Sequence, residues 1–294
     1  MTTMTTERPR ERIIETEWEI AAPVADVWRA LTDAEWLTNW FPTEAKIYPA
    51  PGKGATVWTA WSAGNEEFSA SIAEWEENRR LKLVYAEPTP AEDAETALRE
   101  GRYFPFQIAA DYHLRARGDA TVLRLVHSGF AEDESWDWQY EATSRGWKFE
   151  LGGLKHYLER HKGVPRFVAQ ARHALGDVAF DVAWQMLLGA NGLAAQPPAS
   201  ALQPGSRYEF RVPGDGVLRG RVELFNPPND FAGTVENLND ARLRLKIDRS
   251  CAEDAPEGGN DAVFFLSTYD VDEATRAEIQ ASAAAMMKRL FGER

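Results

Sequence analysis

The most regular hydrophobic pattern in the sequence is a stripe within residues 136–161. Apolar or small residues recur there at alternating steps of three and four, so they share one side of a helix. The stripe comprises Trp136, Tyr140, Thr143, Trp147, Leu151, Leu154 and Leu158. Such a long amphipathic helix needs a broad apolar surface to lie on. Gly146, Gly152 and Gly153 each cost about 1 kcal/mol relative to Ala in a helix, so we expect them to allow close packing or to leave a pocket.

The region before this helix contains short runs in which apolar and polar residues alternate, as they do in strands with one buried face. These runs, separated by turn residues, lie at 12–20, 55–61, 67–75, 80–85, 103–115 and 121–127. Two helices are predicted at 24–33 and 34–39, and a long loop at 87–101. The strands predict an antiparallel sheet that supplies the surface for the long helix.

The second half of the chain repeats this order of elements. Strands are predicted at 167–175, 207–212, 217–225, 231–238, 241–248 and 262–269, with one helix at 177–188 and another beginning at Asp272. The segment HKGVPR at 161–166 has the composition of a linker. We therefore expect two domains, at 11–162 and 166–294.

Several spaced motifs add a family resemblance. AAPVADVWRALTD at 21–33, followed by WLTNWF at 36–41, resembles the opening motif of the START-like (SRPBCC) superfamily. VHSGF at 126–130 and GWKFELGGLKHYLERH at 146–161 resemble the closing motif of one branch, the homologues of the activator of the heat-shock-protein-90 ATPase. This resemblance, over residues 11–162, implies an α+β helix-grip fold, in which a curved antiparallel β-sheet wraps around a long C-terminal helix. With the repeat, it predicts two tandem copies.

Composition narrows the classes of function. The net charge is −13 and both halves of the chain are acidic, which argues against a nucleic-acid partner. No apolar run approaches the ~20 residues of a membrane span, and the first residues lack the apolar segment of a secretory signal. We therefore expect a cytoplasmic protein with no membrane partner. Cys251 is the only cysteine, so the chain has no internal disulfide and no cysteine-built metal site.

The aromatic content indicates a cavity or an unusually aromatic core. The chain has eleven tryptophans, most of them before residue 150. We expect an apolar, partly aromatic ligand between the long helix and the sheet of the first domain. Its predicted walls are Trp40, Phe41, Trp58, Phe68, Ile72, Tyr85, Phe106, Ile108, Trp147, Leu151 and Leu154. The alternatives are that Trp40 and Phe41 only plug the sheet and that the helical stripe is only core.

The sequence offers no convincing catalytic set. It contains no GxSxG, GxxxxGK[ST] or GxGxxG motif. Glu74 shares strand parity with Ile72, so it is either a desolvated carboxylate on the cavity side or a solvated residue beyond the cavity edge. His127 lies at a strand end. We expect no metal, no cofactor and no catalytic residues.

Three functions remain open at this stage. The first is a module that binds a hydrophobic small molecule in the first domain. The second, implied by the resemblance, is a co-chaperone-like module whose partner is a chaperone or another protein. The third is an enzyme of the cyclase or hydrolase kind found elsewhere in the superfamily, against which the missing acid–base residues count. The sequence does not predict an oligomeric state.

Overall fold

The computed structural model describes residues 10–48, 56–61, 66–90, 92–99, 103–212, 216–249 and 259–292. The chain divides into two compact units. The first unit comprises Met1–Ala60 and Glu67–Glu159, and the second comprises Trp61–Glu66 and Arg160–Arg294. The domain boundaries expected at 162 and 166 stay a prediction.

The first unit is a seven-stranded sheet with a long helix. Its elements are β1 (Glu11–Ile20), α1 (Val24–Thr32), α2 (Ala34–Leu37), β2 (Glu44–Tyr48), β3 (Thr56–Trp61), β4 (Glu66–Glu76), β5 (Arg80–Ala86), α3 (Ala94–Arg99), β6 (Ile108–Arg117), β7 (Ala120–Ala131) and α4 (Asp137–Arg160). The strand order is β1-β7-β6-β5-β4-β3-β2. The last long strand thus pairs with the first, as Ile20 does with Thr121, and this order places β1 and β2 at the sheet edges.

Local sequence explains the helices between β1 and β2. Val27, Trp28 and Leu31 form the buried stripe of α1. Asp33 ends this helix, and its side chain accepts a hydrogen bond from the backbone N–H of Trp36 at 3.2 Å. Asp is a favoured N-cap because its carboxylate satisfies a free N–H of the first turn. Asp33 is thus the N-cap of α2.

The long helix α4 is fixed to β1 at both of its ends. Near its start, Arg12 on β1 forms an ion pair with Asp137 at 2.6 Å. Near its end, the ammonium of Lys155 donates to the backbone carbonyl of Glu19 at 2.7 Å, and the Glu159 carboxylate accepts from the backbone N–H of Ala21 at 2.8 Å. Between these anchors the stripe turns into the core. Its buried members are Trp147, Leu151, Leu154 and Leu158.

Of the two expectations for Gly146, the close packing is wrong. A Cβ atom at this position would meet no atom of the described residues within 4 Å. Gly146 therefore does not mark a close approach of the sheet, whereas Gly153, about two turns further along the same helix, is buried.

Two strands differ from the prediction for identifiable reasons. The strand β2 was not predicted because it is only five residues long and carries two charged residues, as is typical of a short edge strand. The strand β6 begins at Ile108 instead of residue 103. Phe104 instead makes two hydrogen bonds with Thr89, at 2.8 and 2.9 Å, and Pro105 has no N–H to donate to a ladder. The predicted loop at 87–101 also contains the short helix α3.

A β-bulge in β4 decides the position of Glu74. Ile72 pairs with Leu83, Glu74 with Lys82 and Trp75 with Leu81, so Ala73 is an inserted residue that changes the parity of the strand. The ring of Trp75, which is 40% exposed, meets the buried Trp28 edge-on, with ring centroids 5.2 Å apart. Glu74 faces solvent, 3.9 Å from the guanidinium of Arg80. Of the two alternatives for this carboxylate, the solvated one is correct.

The second unit repeats the architecture with fewer elements. They are β8 (Arg166–Gly176), α5 (Phe180–Leu188), β9 (Arg207–Val212), β10 (Gly216–Asn226), β11 (Asp230–Val235), β12 (Ala241–Arg249), β13 (Asn260–Tyr269) and α6 (Glu273–Phe291). The strand order is β8-β13-β12-β11-β10-β9, which matches the first sheet without a counterpart of β2. Asp272 caps α6 by accepting from the N–H of Thr275 at 2.7 Å. The predicted α+β fold class, with two antiparallel sheets and a helix-grip arrangement, is confirmed.

Candidate functional site

The site in the first unit depends on which residues β7 turns towards α4. Leu123, Leu125 and His127 occupy alternate positions, and all three are buried. Alternation alone would turn residue 130 to the opposite face. The structure instead has a bulge here, since His127 pairs with Ile14 whereas Phe130 pairs with Arg12. The extra residue restores the parity, so His127 and Phe130 share one face, with ring centroids 5.0 Å apart.

Glycine makes this bulge possible. Gly129 has φ +107°, a conformation that residues with a side chain rarely adopt. A Cβ atom there would also lie 2.6 Å from the backbone oxygen of Gln107. The VHSGF motif therefore has a structural explanation, because its glycine sets the direction in which its histidine and phenylalanine point.

His127 is a buried imidazole with one bonded nitrogen. Its exposed fraction is 7%. The Nδ1 atom accepts a hydrogen bond of 2.7 Å from the indole Nε1–H of Trp147, which is 6% exposed. Burial lowers the pKa of His127 to about 4, so the ring is neutral near pH 7. Because Nδ1 is an acceptor, the single proton of the neutral ring lies on Nε2.

The Nε2–H group of His127 has no hydrogen-bond partner among the described residues. A buried donor left without an acceptor costs about 1–3 kcal/mol. Most buried polar groups in native proteins are paired, and an unpaired one indicates a further partner or a functional reason. This N–H group is the polar group of the first unit that bears most directly on function, because it lies in the apolar layer between α4 and the sheet.

Aromatic rings surround the hydrogen-bonded pair of Trp147 and His127. The Trp147 ring stacks on Phe41 at 5.8 Å and meets the edge of Tyr112 at 5.9 Å. The His127 ring stacks on Tyr85 at 5.9 Å. Residues from α4, from the segment after α2 and from the strands β5, β6 and β7 thus meet at the rings of Trp147 and His127.

Two tyrosine hydroxyls add polar groups to the same layer. The hydroxyls of Tyr85 on β5 and Tyr112 on β6 interact. Burial raises the pKa of Tyr85 to about 12, and burial raises the pKa of Tyr112 well above its usual value. The negative charge of Glu150 also raises the pKa of Tyr112. Both phenols and the imidazole are therefore uncharged at neutral pH, and the site can donate hydrogen bonds without carrying a net charge.

The predicted wall residues are placed as follows. Trp40, Phe41 and Trp147 form a continuous stack, since Trp40 lies 5.2 Å from Phe41. Tyr85 joins the stack through His127, and Leu151 and Leu154 are fully buried on α4. The half-buried remainder consists of Ile72 on β4, Ile108 at the start of β6 and Phe106 just before it. The side chains of Trp58 and Phe68 lie outside the described residues. The ligand-contacting role of all eleven stays a prediction.

Trp40 also has a structural task. Its side chain is 2% exposed, and its indole N–H donates to the backbone carbonyl of Ala30 at 2.8 Å. This bond satisfies one of the free carbonyls at the end of α1. Trp40 therefore secures α1 whether or not a ligand touches it.

Sequence reasoning missed His127, Tyr112 and Phe130 as members of the site. His127 continues the alternation of Leu123 and Leu125, and that signal was available. Phe130 could not be placed by alternation, because the bulge at Gly129 changes the parity of the strand.

Other features offer less. Among the described residues, no group of three or more His, Cys, Asp or Glu is arranged to hold a metal ion. The helices within the described ranges include none that is long and apolar enough to cross a membrane. The second unit has a pocket of about 260 Å³ whose walls include His173, Met186 and Phe291. No polar atom of this pocket's wall is among the buried unpaired ones of the described residues.

These features define the first unit as a helix-grip domain with an aromatic interior and a buried, unpaired donor. Residues 21–159 match the family described as "Activator of Hsp90 ATPase homolog 1-like protein". This match spans almost the whole of the first unit. The resemblance read from the motifs at 21–41 and 126–161 is thereby confirmed.

Some of the similar solved structures cover about half of this chain, and one covers nearly all of it. Protein MLL2253 from Mesorhizobium loti is 22% identical over 51% of this chain and 99% of its own, with a TM-score of 0.39. The Aha1 dimer from Colwellia psychrerythraea is 20% identical over 52% of this chain and 99% of its own, also with a TM-score of 0.39. The di-domain ARO/CYC BexL of the BE-7585A biosynthetic pathway is 14% identical over 96% of this chain and 99% of its own, with a TM-score of 0.42.

Similarities this weak carry no conclusion about activity. No curated protein is significantly similar in sequence to this chain.

Proposed function

We propose that the first unit binds an apolar, partly aromatic small molecule between α4 and the inner face of its sheet. The observation that carries this proposal is the buried Nε2–H of His127, which lacks a partner among the described residues. A donor that is costly to leave unpaired is retained where a bound molecule can satisfy it. Pockets of this kind, mostly apolar with a few polar groups, are the usual small-molecule sites of proteins.

The aromatic rings support the same proposal. Flat ligands gain about 0.5–1.5 kcal/mol per aromatic contact beyond the burial of area. The rings of Phe41 and Tyr112 each lie within 6 Å of the Trp147 ring. A ligand that inserted among them would exchange ring contacts with the protein for ring contacts of its own.

Titration monitored by intrinsic Trp fluorescence tests the proposal. The full chain is titrated with a panel of hydrophobic aromatics, fatty acids and flavonoid-like compounds. We expect saturable quenching by flat aromatic members, because Trp147 lies in the centre of the site. Native mass spectrometry of protein purified from its own host provides an independent measurement, since a retained ligand appears as an added mass.

The opposite result is equally clear. If no compound gives saturable quenching and no mass is retained, the binding proposal is wrong. The protein-interaction role suggested by the family then becomes the leading hypothesis, with a chaperone or another protein as partner. Neither role requires a chemical reaction.

A further inference from the structure

Resting on the proposed function, we infer that the ligand carries a neutral carbonyl oxygen on an aromatic frame, and that the Nε2–H of His127 donates a hydrogen bond to this oxygen. Tyr85 supplies the second donor. The inference concerns the chemistry of the ligand, and it can fail while the first unit still binds apolar molecules.

The direction of the His127 donor follows from the bond on the other nitrogen. The indole Nε1–H of Trp147 on α4 donates a hydrogen bond to the Nδ1 atom of His127 at 2.7 Å. The two ring nitrogens of an imidazole point in widely separated directions, so Nε2–H is directed away from Trp147. The ring cannot flip without losing the Trp147 bond, which fixes both the tautomer and the aim of the donor.

A second proton is available beside His127. The Tyr85 ring stacks on the imidazole at 5.9 Å with an interplanar angle of 25°. The hydroxyls of Tyr85 and Tyr112 interact, and even a full hydrogen bond between two hydroxyls uses only one of their two protons. The other proton remains for a further oxygen. An oxygen placed between an imidazole N–H and a phenol O–H could accept from both, since a carbonyl has two lone pairs.

The electrostatics favour a neutral acceptor over an anion. No group in this donor set carries a positive charge at neutral pH, because His127 is uncharged. The negative charge of Glu150 raises the pKa of Tyr112, and it likewise disfavours a second negative charge nearby. A buried carboxylate without a positive partner is costly. A ketone or quinone oxygen takes both hydrogen bonds without that cost.

Matched probes separate the inference from the proposed function. 9-Fluorenone and fluorene share one tricyclic frame and differ in a carbonyl against a methylene group, and fluorene-9-carboxylate adds an anionic group. Equilibrium dialysis measures the affinity of the full chain for each. We expect fluorenone to bind at least ten-fold more tightly than the other two. An apolar pocket without an unpaired donor would instead favour fluorene, because its burial desolvates no carbonyl.

Two substitutions of the same histidine identify the nitrogen responsible. In His127→Asn the amide oxygen can replace Nδ1 as acceptor for Trp147, but no donor reaches the position of Nε2. In His127→Gln the amide nitrogen can replace the Nε2 donor. We expect His127→Asn to lose the preference for fluorenone over fluorene and His127→Gln to keep most of it. Tyr85→Phe, which retains the ring stack, should lower fluorenone affinity a few-fold.

The wild-type protein gives a measurement that does not depend on these variants folding. In nitrogen-15 spectra, the Nε2–H proton of His127 should move downfield on addition of fluorenone and not on addition of fluorene. Equal affinity for fluorenone and fluorene, or tighter binding of the carboxylate, overturns the inference and leaves the proposed function standing. Failure of all three probes to bind overturns both.

Discussion

The strand that comes last along the chain in each sheet, β7 in the first unit and β13 in the second, buries a different set of residues. In the first unit, β7 contributes Leu123, Leu125 and His127, and in the second, β13 contributes Phe264, Leu266 and Thr268. The hydroxyl of Thr268 donates to the backbone carbonyl of Phe167 at 3.3 Å. His127 has a donor without a partner in the described residues. At this strand position, the polar side chain of the second unit is bonded within the fold, whereas that of the first unit keeps a donor without a partner among the described residues.

Other buried residues of the second unit are likewise packed and bonded among themselves. The core of the second unit is filled by Tyr208, Phe210 and Phe231 together with Met286 and Met287 from α6. The Tyr208 hydroxyl donates to the carbonyl of Thr234 at 2.7 Å, so this buried phenol is satisfied within the core. Methionine is flexible and fills irregular gaps between other side chains. The comparison shows that the fold alone does not define a binding site, since function lies in the side chains placed upon it.

The largest expected effect comes from removing the centre of the aromatic cluster. Trp147→Ala should lower the free energy of unfolding of the first unit by about 3–5 kcal/mol, because the ring is buried and its N–H bonds His127. Denaturant unfolding of the full chain, followed by circular dichroism, measures the change. Met286→Ala, a buried position on α6, is the matched substitution in the second unit.

The outcome for Trp147→Ala also tests whether the units are independent. If they are, each substitution shifts only one of two unfolding transitions. A loss below about 1 kcal/mol would show that the Trp147 ring has little role in the core, and it would remove the contrast drawn above.

Acid should weaken the first unit through His127. The pKa of this residue is about 4 in the folded protein against a usual value of 6.5. Below about pH 6.5 the unfolded chain therefore binds a proton at His127 that the folded chain does not bind. The free energy of unfolding consequently decreases as the pH falls from about 6.5 to 4. The full difference corresponds to about 3 kcal/mol. The His127→Asn variant lacks the titrating group and should lose correspondingly less stability.

Chemical denaturation at pH 7 and pH 4.5 measures this difference between wild type and variant. His161 in the second unit also has a lowered pKa, caused by burial, so it adds a loss of the same sign to both proteins. Only the difference between the two proteins reports on His127. Identical pH dependence in wild type and His127→Asn would mean that His127 is not a buried neutral ring.

A smaller effect is expected at the bulge that aims His127. Gly129→Ala forces a residue with a side chain into φ +107°, at a cost of about 1–3 kcal/mol for the backbone conformation alone. The contact with the Gln107 carbonyl adds to this cost. Gly118→Ala is the control, because Gly118 has φ +61° with open space around its Cβ position. Thermal unfolding should show the larger loss for Gly129→Ala, and equal losses would contradict the account of the bulge.

The smallest expected effect has the opposite sign. Gly146→Ala should raise the stability of the first unit by about 0.5–1 kcal/mol, since Ala is the better helix former and the space around Gly146 is open. The same unfolding measurement applies. A loss of stability would restore the original expectation that the sheet approaches the helix at this glycine.

Alternation and helical periodicity were sufficient to predict most of the architecture. The stripe from Trp136 to Leu158 identified α4, and the motifs at both ends of the first unit identified the fold. The strand β2 was not predicted, because a short edge strand needs little alternation of apolar and polar residues. The position of Glu74 was uncertain because a bulge changes which face a side chain takes, and the pairing that creates a bulge is not written in one strand alone.

The candidate site was predictable only in part, for the same physical reason. Trp147 and Tyr85 were identified from apolar positions, which reveal burial. The role of His127 depends on which of its nitrogens is bonded, and that bond joins residues twenty positions apart on different elements. Sequence pattern carries no information about such a pairing until the sheet and the helix are placed together.

Indole N–H resonances of the full-length protein test the central claim most directly. Trp147 reports on the first unit and Trp184, buried in α5, reports on the second. Each is assigned by its Trp→Phe substitution. On titration with 9-fluorenone we predict a saturable shift of the Trp147 signal while the Trp184 signal stays in place. A shift at Trp184 without one at Trp147, or no saturable shift at either, would contradict the claim that the first unit is the binding unit.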